Sequence, residues 1–164
     1  MISDKLDKII KNFGTYIAAI KEEKGERTIL VKPEAHKELL RFLRYDEEMS
    51  YDMLIDLCGV DYLGENPRFE VVYLLRSMRD GDRLRVKVRL NGEDEIETVS
   101  DLWRAADWLE RETYDMFGIR FRNHPDLRRI LLSDDFSGHP LRKDFPAEGF
   151  DFDKPFEVKL EEEI

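Results

Sequence analysis

Residues 68–90, "RFEVVYLLRSMRDGDRLRVKVRL", decide the fold class. The run from Arg68 to Ser77 is rich in β-branched and aromatic residues. In the run from Asp82 to Leu90, Leu84, Val86, Val88 and Leu90 alternate with Arg83, Arg85, Lys87 and Arg89. A period of two places one set on a buried face and the other on a wet one. Between the runs lies "MRDGD", an Asp-Gly turn, so the pair reads as an antiparallel hairpin. The four cations read first as a solvated, aggregation-resistant face and second as a partner contact.

Working outward, residues 51–67, "YDMLIDLCGVDYLGENP", are apolar and end in turn chemistry, and their periodicity fits helix or strand. Upstream, Pro33 opens a helix, "PEAHKELLRFLRYD", with Leu39, Leu40, Phe42 and Leu43 inward. "TYIAAI" and "RTILVK" read as short strands separated by "KEEKGE", whose Lys-Gly-Glu tip suits a turn. Ser3 is placed to cap a first helix with Leu6, Ile9, Ile10 and Phe13 on one face and Gly14 as its stop. Downstream, "NGEDEIETVSDLW" reads as a polar connection. Ser100 or Asp101 then caps a third helix running to about Phe117, with Gly118 as the residue that ends it, followed by an Arg-bracketed aromatic strand at "IRF". From His124 onward, prolines at 125, 140, 146 and 155 interrupt any periodicity. The expected architecture is α+β: a mixed or antiparallel sheet with helices packed on it over residues 1–122, then an extended irregular arm over 123–164. The last 18 residues hold seven acidic side chains and two lysines, and spaced Phe145, Phe150, Phe152 and Phe156 favour an arm laid over a partner.

Bulk properties narrow the function. At 164 residues the chain can bury one real core. A net charge of −10 argues against non-specific binding to nucleic acid or anionic membranes. Cys58 is the single cysteine, so neither an internal disulfide nor a cysteine-built cluster can form from this chain alone. "MISDKLDKIIKNF" lacks the apolar core of a signal peptide, and no apolar run reaches the roughly 18–20 residues that span a bilayer. A cytosolic chain, reaching any membrane through partners, is the simplest expectation.

Residues 108–121, "WLERETYDMFGIRF", raise the question of catalysis. On a helix, Leu102, Ala106, Leu109, Thr113 and Met116 form a core stripe. Arg104, Asp107, Arg111 and Asp115 form a second stripe of alternating sign, predicting a self-neutralising ladder in which Asp115 is a poor base. Glu110 and Glu112 lie roughly 200° apart and cannot share a proton. His36, His124 and His139 lack zinc-site spacing, and no dinucleotide loop, phosphate loop or nucleophile elbow is present. The dense run from 120 to 146 supplies Arg120, Arg122, Arg128, Arg129, Arg142 and Lys143. Such arginines suit bidentate ion pairs, either across an interface or within the chain.

Residues 108–146, "WLERETYDMFGIRFRNHPDLRRILLSDDFSGHPLRKDFP", closely resemble the signature of the 30-kDa subunit of respiratory complex I, a component of bacterial NADH–quinone oxidoreductases. The family's E-R-E, acidic–apolar–x–Gly, His-Pro-Asp-Leu-Arg-Arg-Ile-Leu and Gly-x-Pro-Leu-Arg-Lys-Asp parts appear in order. "DLCGVDYLGENPRFEVVYLL" and "TVSDLW" also look like the family's, whereas "WRAADW" replaces its usual Pro-Gly-Ala segment. The resemblance implies a mixed sheet with helices and an extended arm, and a peripheral subunit on the cytoplasmic side of the inner membrane. It implies that flavin, iron–sulfur clusters and quinone sit in other subunits of the peripheral arm, with this one packed on the 49-kDa-type subunit. It makes Glu110, Arg111, Glu112, Asp115, Gly118, His124, Arg128, Arg129, His139, Arg142, Lys143 and Asp144 the expected partner-facing set. The alternatives are the homologous subunit of an energy-converting hydrogenase or of a ferredoxin- or F420H2-dependent membrane dehydrogenase, and a free-standing enzyme using the E-R-E carboxylates.

Overall fold

The computed structural model describes residues 2–149. Phe150, Phe152, Phe156 and the acidic end lie outside the described residues. Helix α1 (Ile2–Phe13) is followed by a short 3-10 turn (Gly14–Tyr16), β1 (Ile17–Glu23) and β2 (Glu26–Val31). A second 3-10 turn (Pro33–Ala35) leads into α2 (His36–Tyr45), then β3 (Met53–Asp61), β4 (Phe69–Arg76) and β5 (Arg83–Leu90). The chain continues through β6 (Glu95–Glu97), α3 (Ala105–Phe117) and β7 (Arg120–Arg122).

The hairpin read from residues 68–90 is β4–β5, antiparallel with Phe69 opposite Leu90 and Arg76 opposite Arg83. Around it the five strands run β1-β2-β5-β4-β3, with β2 parallel to β5 and the other pairs antiparallel, so the sheet is mixed. The ambiguous segment is the edge strand β3, kept in register through a bulge between Leu54 and Asp56. Leu84, Val86, Val88 and Leu90 are buried, as are Leu39, Leu40 and Leu43 of α2 and Ile9 of α1. These side chains join Val71, Tyr73, Ala106, Ile96 and Phe121 in one core. The α+β expectation therefore holds.

Local readings differ in instructive places. Ser3 lies inside α1, and Ile10 is exposed whereas Lys5 is buried against Met49 and Asp80. Ser100 and Asp101 do not cap α3: the backbone of Leu102 and Trp103 turns on Val99, the helix begins at Ala105, and Arg104 at its cap makes no side-chain cap bond. Asp101 is instead paired with Lys37, which also donates to the Thr98 carbonyl. The "polar connection" contains β6, which pairs in parallel with β7. α3 lies close on β3, because a Cβ at Gly59 would stand 2.7 Å from the Phe117 ring. Residues 123–149 form no helix or strand.

Candidate functional site

The predicted residues gather around α3. Its inner face buries Ala106, Thr113 and Met116, and also two carboxylates, Glu110 and Asp115, both fully enclosed. The chain treats these two charges in opposite ways.

Glu110 faces the loop after β6. It accepts a hydrogen bond from the Val99 backbone N–H (2.7 Å) and another from the Thr98 hydroxyl. Burial outweighs these donors and pushes its carboxyl up to about 7. Beside it, the buried His124 ring has Nε2 3.8 Å from a Glu110 oxygen and 3.1 Å from the Asp107 carbonyl. The Asp126 backbone N–H donates to His124 Nδ1 at 3.0 Å, which places the ring proton on Nε2. The His-Pro-Asp turn thus locks one imidazole tautomer over the first half of α3.

At the other end, Asp115 does not join the predicted ladder with Arg111. Its carboxylate accepts from the backbone N–H groups of Ile130 (3.1 Å), Leu131 (2.8 Å) and Leu132 (3.0 Å), and from Arg129 Nη1 at 2.7 Å. Burial works against the charge, but the three amides and the guanidinium outweigh it and hold the carboxyl below its usual range. Arg129 also reaches the Phe136 and Gly138 carbonyls, each at 3.0 Å. Arg111 turns outward to the Arg128 and Arg129 carbonyls, with its guanidinium over the Trp108 ring. Among the described residues Arg104 makes no ion pair with Asp107.

A helix end leaves carbonyls without partners. Here residues 139–142 supply them: His139 Nδ1–H donates to the Asp115 carbonyl (2.9 Å), the Leu141 N–H to Met116 (3.1 Å) and Arg142 Nε–H to Phe117 (2.6 Å). Cationic and ring N–H groups are favoured at this negative end of the helix dipole. Gly118 permits the close approach. It sits at φ 73°, returns its N–H to Tyr114, and a Cβ there would overlap the Arg142 guanidinium and the His139 ring. Gly118→Ala is expected to destabilise the chain by about 2 kcal/mol or more. Urea denaturation would measure that loss, and limited proteolysis should show faster cleavage within 123–149.

Of the rest of the clamp, Asp144 belongs to the predicted set, and Arg68 and Asp61 were missed by sequence reasoning. Arg68, in the β3–β4 connection, grips Asp61 through Nε and Nη2 (2.8 Å each) and Asp144 through Nη1 and Nη2 (2.9 and 2.7 Å). Asp61 also accepts the Lys143 backbone N–H at 2.8 Å. Hydrogen bonds from Arg68 hold both carboxyls below their usual range. Spacing offered no route to this pair, because its members lie 7 and 76 residues from Arg68. Glu97, held below its usual range by Asn123 and Arg122, ties the start of the same segment to β6.

Of the predicted set, Asp115, His124, Arg129, His139 and Arg142 thus bind residues 123–145 to α3, Glu110 holds the Thr98–Val99 loop to it, and Asp144 ties the segment to Arg68 in the β3–β4 connection. Glu112, Arg128 and the Lys143 side chain remain exposed, and Trp108, stacked on Arg111, is 63% exposed. Chemically the arrangement fixes a surface; the enclosed carboxylates face donors rather than an open cavity.

Residues 29–151, which contain the whole clamp, match the family described as respiratory-chain NADH dehydrogenase, 30 Kd subunit. The chain belongs to that family. It is 48% identical over 154 residues to an NADH-quinone oxidoreductase subunit of Geotalea uraniireducens, covering 93% of this chain and 92% of that one. Identity to the NADH-quinone oxidoreductase subunit of the same type in Hyphomonas neptunium is 52% over 125 residues, 76% of this chain and 62% of that one. In fold the family member resembles a chain in the structure of the membrane-bound sulfane sulfur reductase, an archaeal respiratory membrane complex. The TM-score is 0.75 at 23% identity, covering 88% of this chain and 85% of that one. No helix among the described residues is long and apolar enough to cross a membrane.

Proposed function

We propose that this chain is a peripheral-arm subunit of a proton-translocating NADH–quinone oxidoreductase, holding no redox group and scaffolding the 49-kDa-type subunit beside the quinone-reduction region. In this reading it lies on the cytoplasmic side of the inner membrane, joined to the bilayer through partners. Relatives named as NADH-quinone oxidoreductase subunits, matched over nearly all their length, support it. The observation that carries it is the use made of the signature residues. Glu110, Asp115, Arg129, His139 and Arg142 are spent on shaping one surface, rather than converging on a space where substrate or cofactor could react.

The predicted interface residues then divide their labour. Glu112, Arg128, Lys143 and the Trp108–Arg111 pair meet the partner, and Glu110, Asp115, Gly118, His124, Arg129, His139, Arg142 and Asp144 hold that surface in one shape. Co-purification from native membranes tests it. The chain is expected to emerge with a 49-kDa-type subunit, and alone to show no visible-range absorbance, iron or flavin. A stoichiometric chromophore on the isolated chain, or turnover without partners, would overturn the reading.

A further inference from the structure

The core side chains of α1, α2 and α3 meet one face of the five-stranded sheet, the face of Leu84, Val86 and Val88. The opposite face carries no helix among the described residues, and the β3–β4 connection folds over the Arg89 end of it, with Arg89 over the Tyr62 ring and bonded to the Pro67 carbonyl. Most of its cations have carboxylates: Arg85 pairs with Glu26 (2.9 Å), Lys87 with Glu70 (2.7 Å) and Arg89 with Glu65 (2.6 Å). The bare positive row expected along β5 is therefore neutralised at three of its four members.

One corner breaks this pattern. Arg76 and Arg83 stand directly opposite each other across β4 and β5, and neither is ion-paired among the described residues. Arg76 Nε is also buried without a hydrogen-bond partner. Like charges directly opposed on a sheet face are destabilising, and an unsatisfied buried donor destabilises further. The chain has 37 acidic side chains against 27 basic ones, yet places none of its described carboxylates between these two arginines. Against them lie Met53 (43% exposed) and Ile55 (42% exposed) on the edge strand β3 and half-buried Leu74, in a depression of about 250 Å³ whose one lining carboxylate, Glu26, is taken up by Arg85 at 2.9 Å. Exposed aliphatic side chains beside unpaired arginines have the composition of an interface centre, where apolar contact and arginine forks carry most of the energy.

We propose that the corner formed by Met53, Ile55, Leu74, Arg76 and Arg83 docks a segment of a neighbouring subunit that is apolar at its centre and carries at least one carboxylate. The carboxylate bridges the two opposed guanidiniums, while its apolar neighbours fill the depression. The surface lies on the sheet face away from the core side of α3, so it is separate from the signature surface. It rests on the reading that the chain is a subunit of a larger assembly.

The test uses the assembled complex from native membranes, with a photo-crosslinking benzoyl-phenylalanine in place of Ile55. The expected adduct is a peptide of another subunit with Asp or Glu among apolar residues. In competition with the wild-type chain, Arg83→Glu and Ile55→Asp, both at exposed positions, should lower incorporation at least about tenfold without lowering the thermal midpoint of the full chain. Adducts confined to residues 150–164 of the same chain or to a second copy would overturn the proposal, as would variants incorporated as well as wild type. If the wild-type chain itself enters no complex, the functional reading fails first. If it does and the variants follow it equally, only this proposal fails.

Discussion

Asp115→Ala is expected to cost the chain about 3–5 kcal/mol of folding stability, the range for stripping one partner from a buried charged network. Several groups lose their partner at once. Three successive backbone N–H groups, of Ile130, Leu131 and Leu132, donate to this one carboxylate, and Arg129 closes the set. Removing it leaves a largely buried guanidinium and three amides to find water, which opens the segment that His139 and Arg142 dock on the helix end. Asp115→Asn keeps the volume but turns an NH2 group toward donors, so it should be nearly as damaging; a purely steric role would make it mild. Because this carboxyl sits below its usual range in the fold, its contribution is present above the ordinary carboxylate pKa and is lost as pH falls through the depressed value. Urea denaturation gives the size, and amide exchange at residues 130–132 locates it. A loss under about 1 kcal/mol would show that Asp115 does not anchor the segment.

The same residue shows where sequence reading stops. Helical spacing paired Asp115 with Arg111, and the signs were right. An exposed i,i+4 pair stabilises by only about 0.3–0.5 kcal/mol, which four donors to an enclosed carboxylate easily exceed. Those donors come from 14 to 17 residues downstream in a segment without periodicity, so no pattern announces them. Periodicity did locate the β4–β5 hairpin, the α2 core leucines and the end of α3 at Gly118, because each follows from local geometry. It failed at β6, three residues whose strand character comes from pairing with β7 across α3. Glu110 was nearer to legible. It lies four residues after Ala106 and three before Thr113, inside the apolar stripe, and a charged residue in that position signals a buried acid with dedicated donors.

That buried acid supplies the second large effect. Relative to wild type, Glu110→Gln is expected to stabilise the chain above pH 7 by up to ~3 kcal/mol and to be nearly neutral near pH 4.5 and below. The sign follows from the direction of the shift. Burial raises the folded-state carboxyl to about 7 from an ordinary 4.5, so the fold prefers the protonated form. The benefit is full below the unfolded pKa and disappears as pH rises through the folded one. Above that point the wild type must hold an enclosed charge helped by the Val99 N–H, the Thr98 hydroxyl and the Lys37 cation, with the His124 ring nearby. Glutamine removes that charge and can keep the geometry. Its carbonyl accepts from Val99, and its NH2 donates to Thr98, whose hydroxyl turns to Ser100 Oγ, 2.9 Å away. Alanine at the same position would strand both donors and destabilise at every pH, which separates loss of charge from loss of hydrogen bonds. The measurement is the difference between the wild-type and Glu110→Gln stability curves from pH 4.5 to 8.5. Parallel curves would show that Glu110 does not change protonation in this range, and a difference growing toward acid pH would mean that the carboxylate, not the neutral acid, is the form the fold selects.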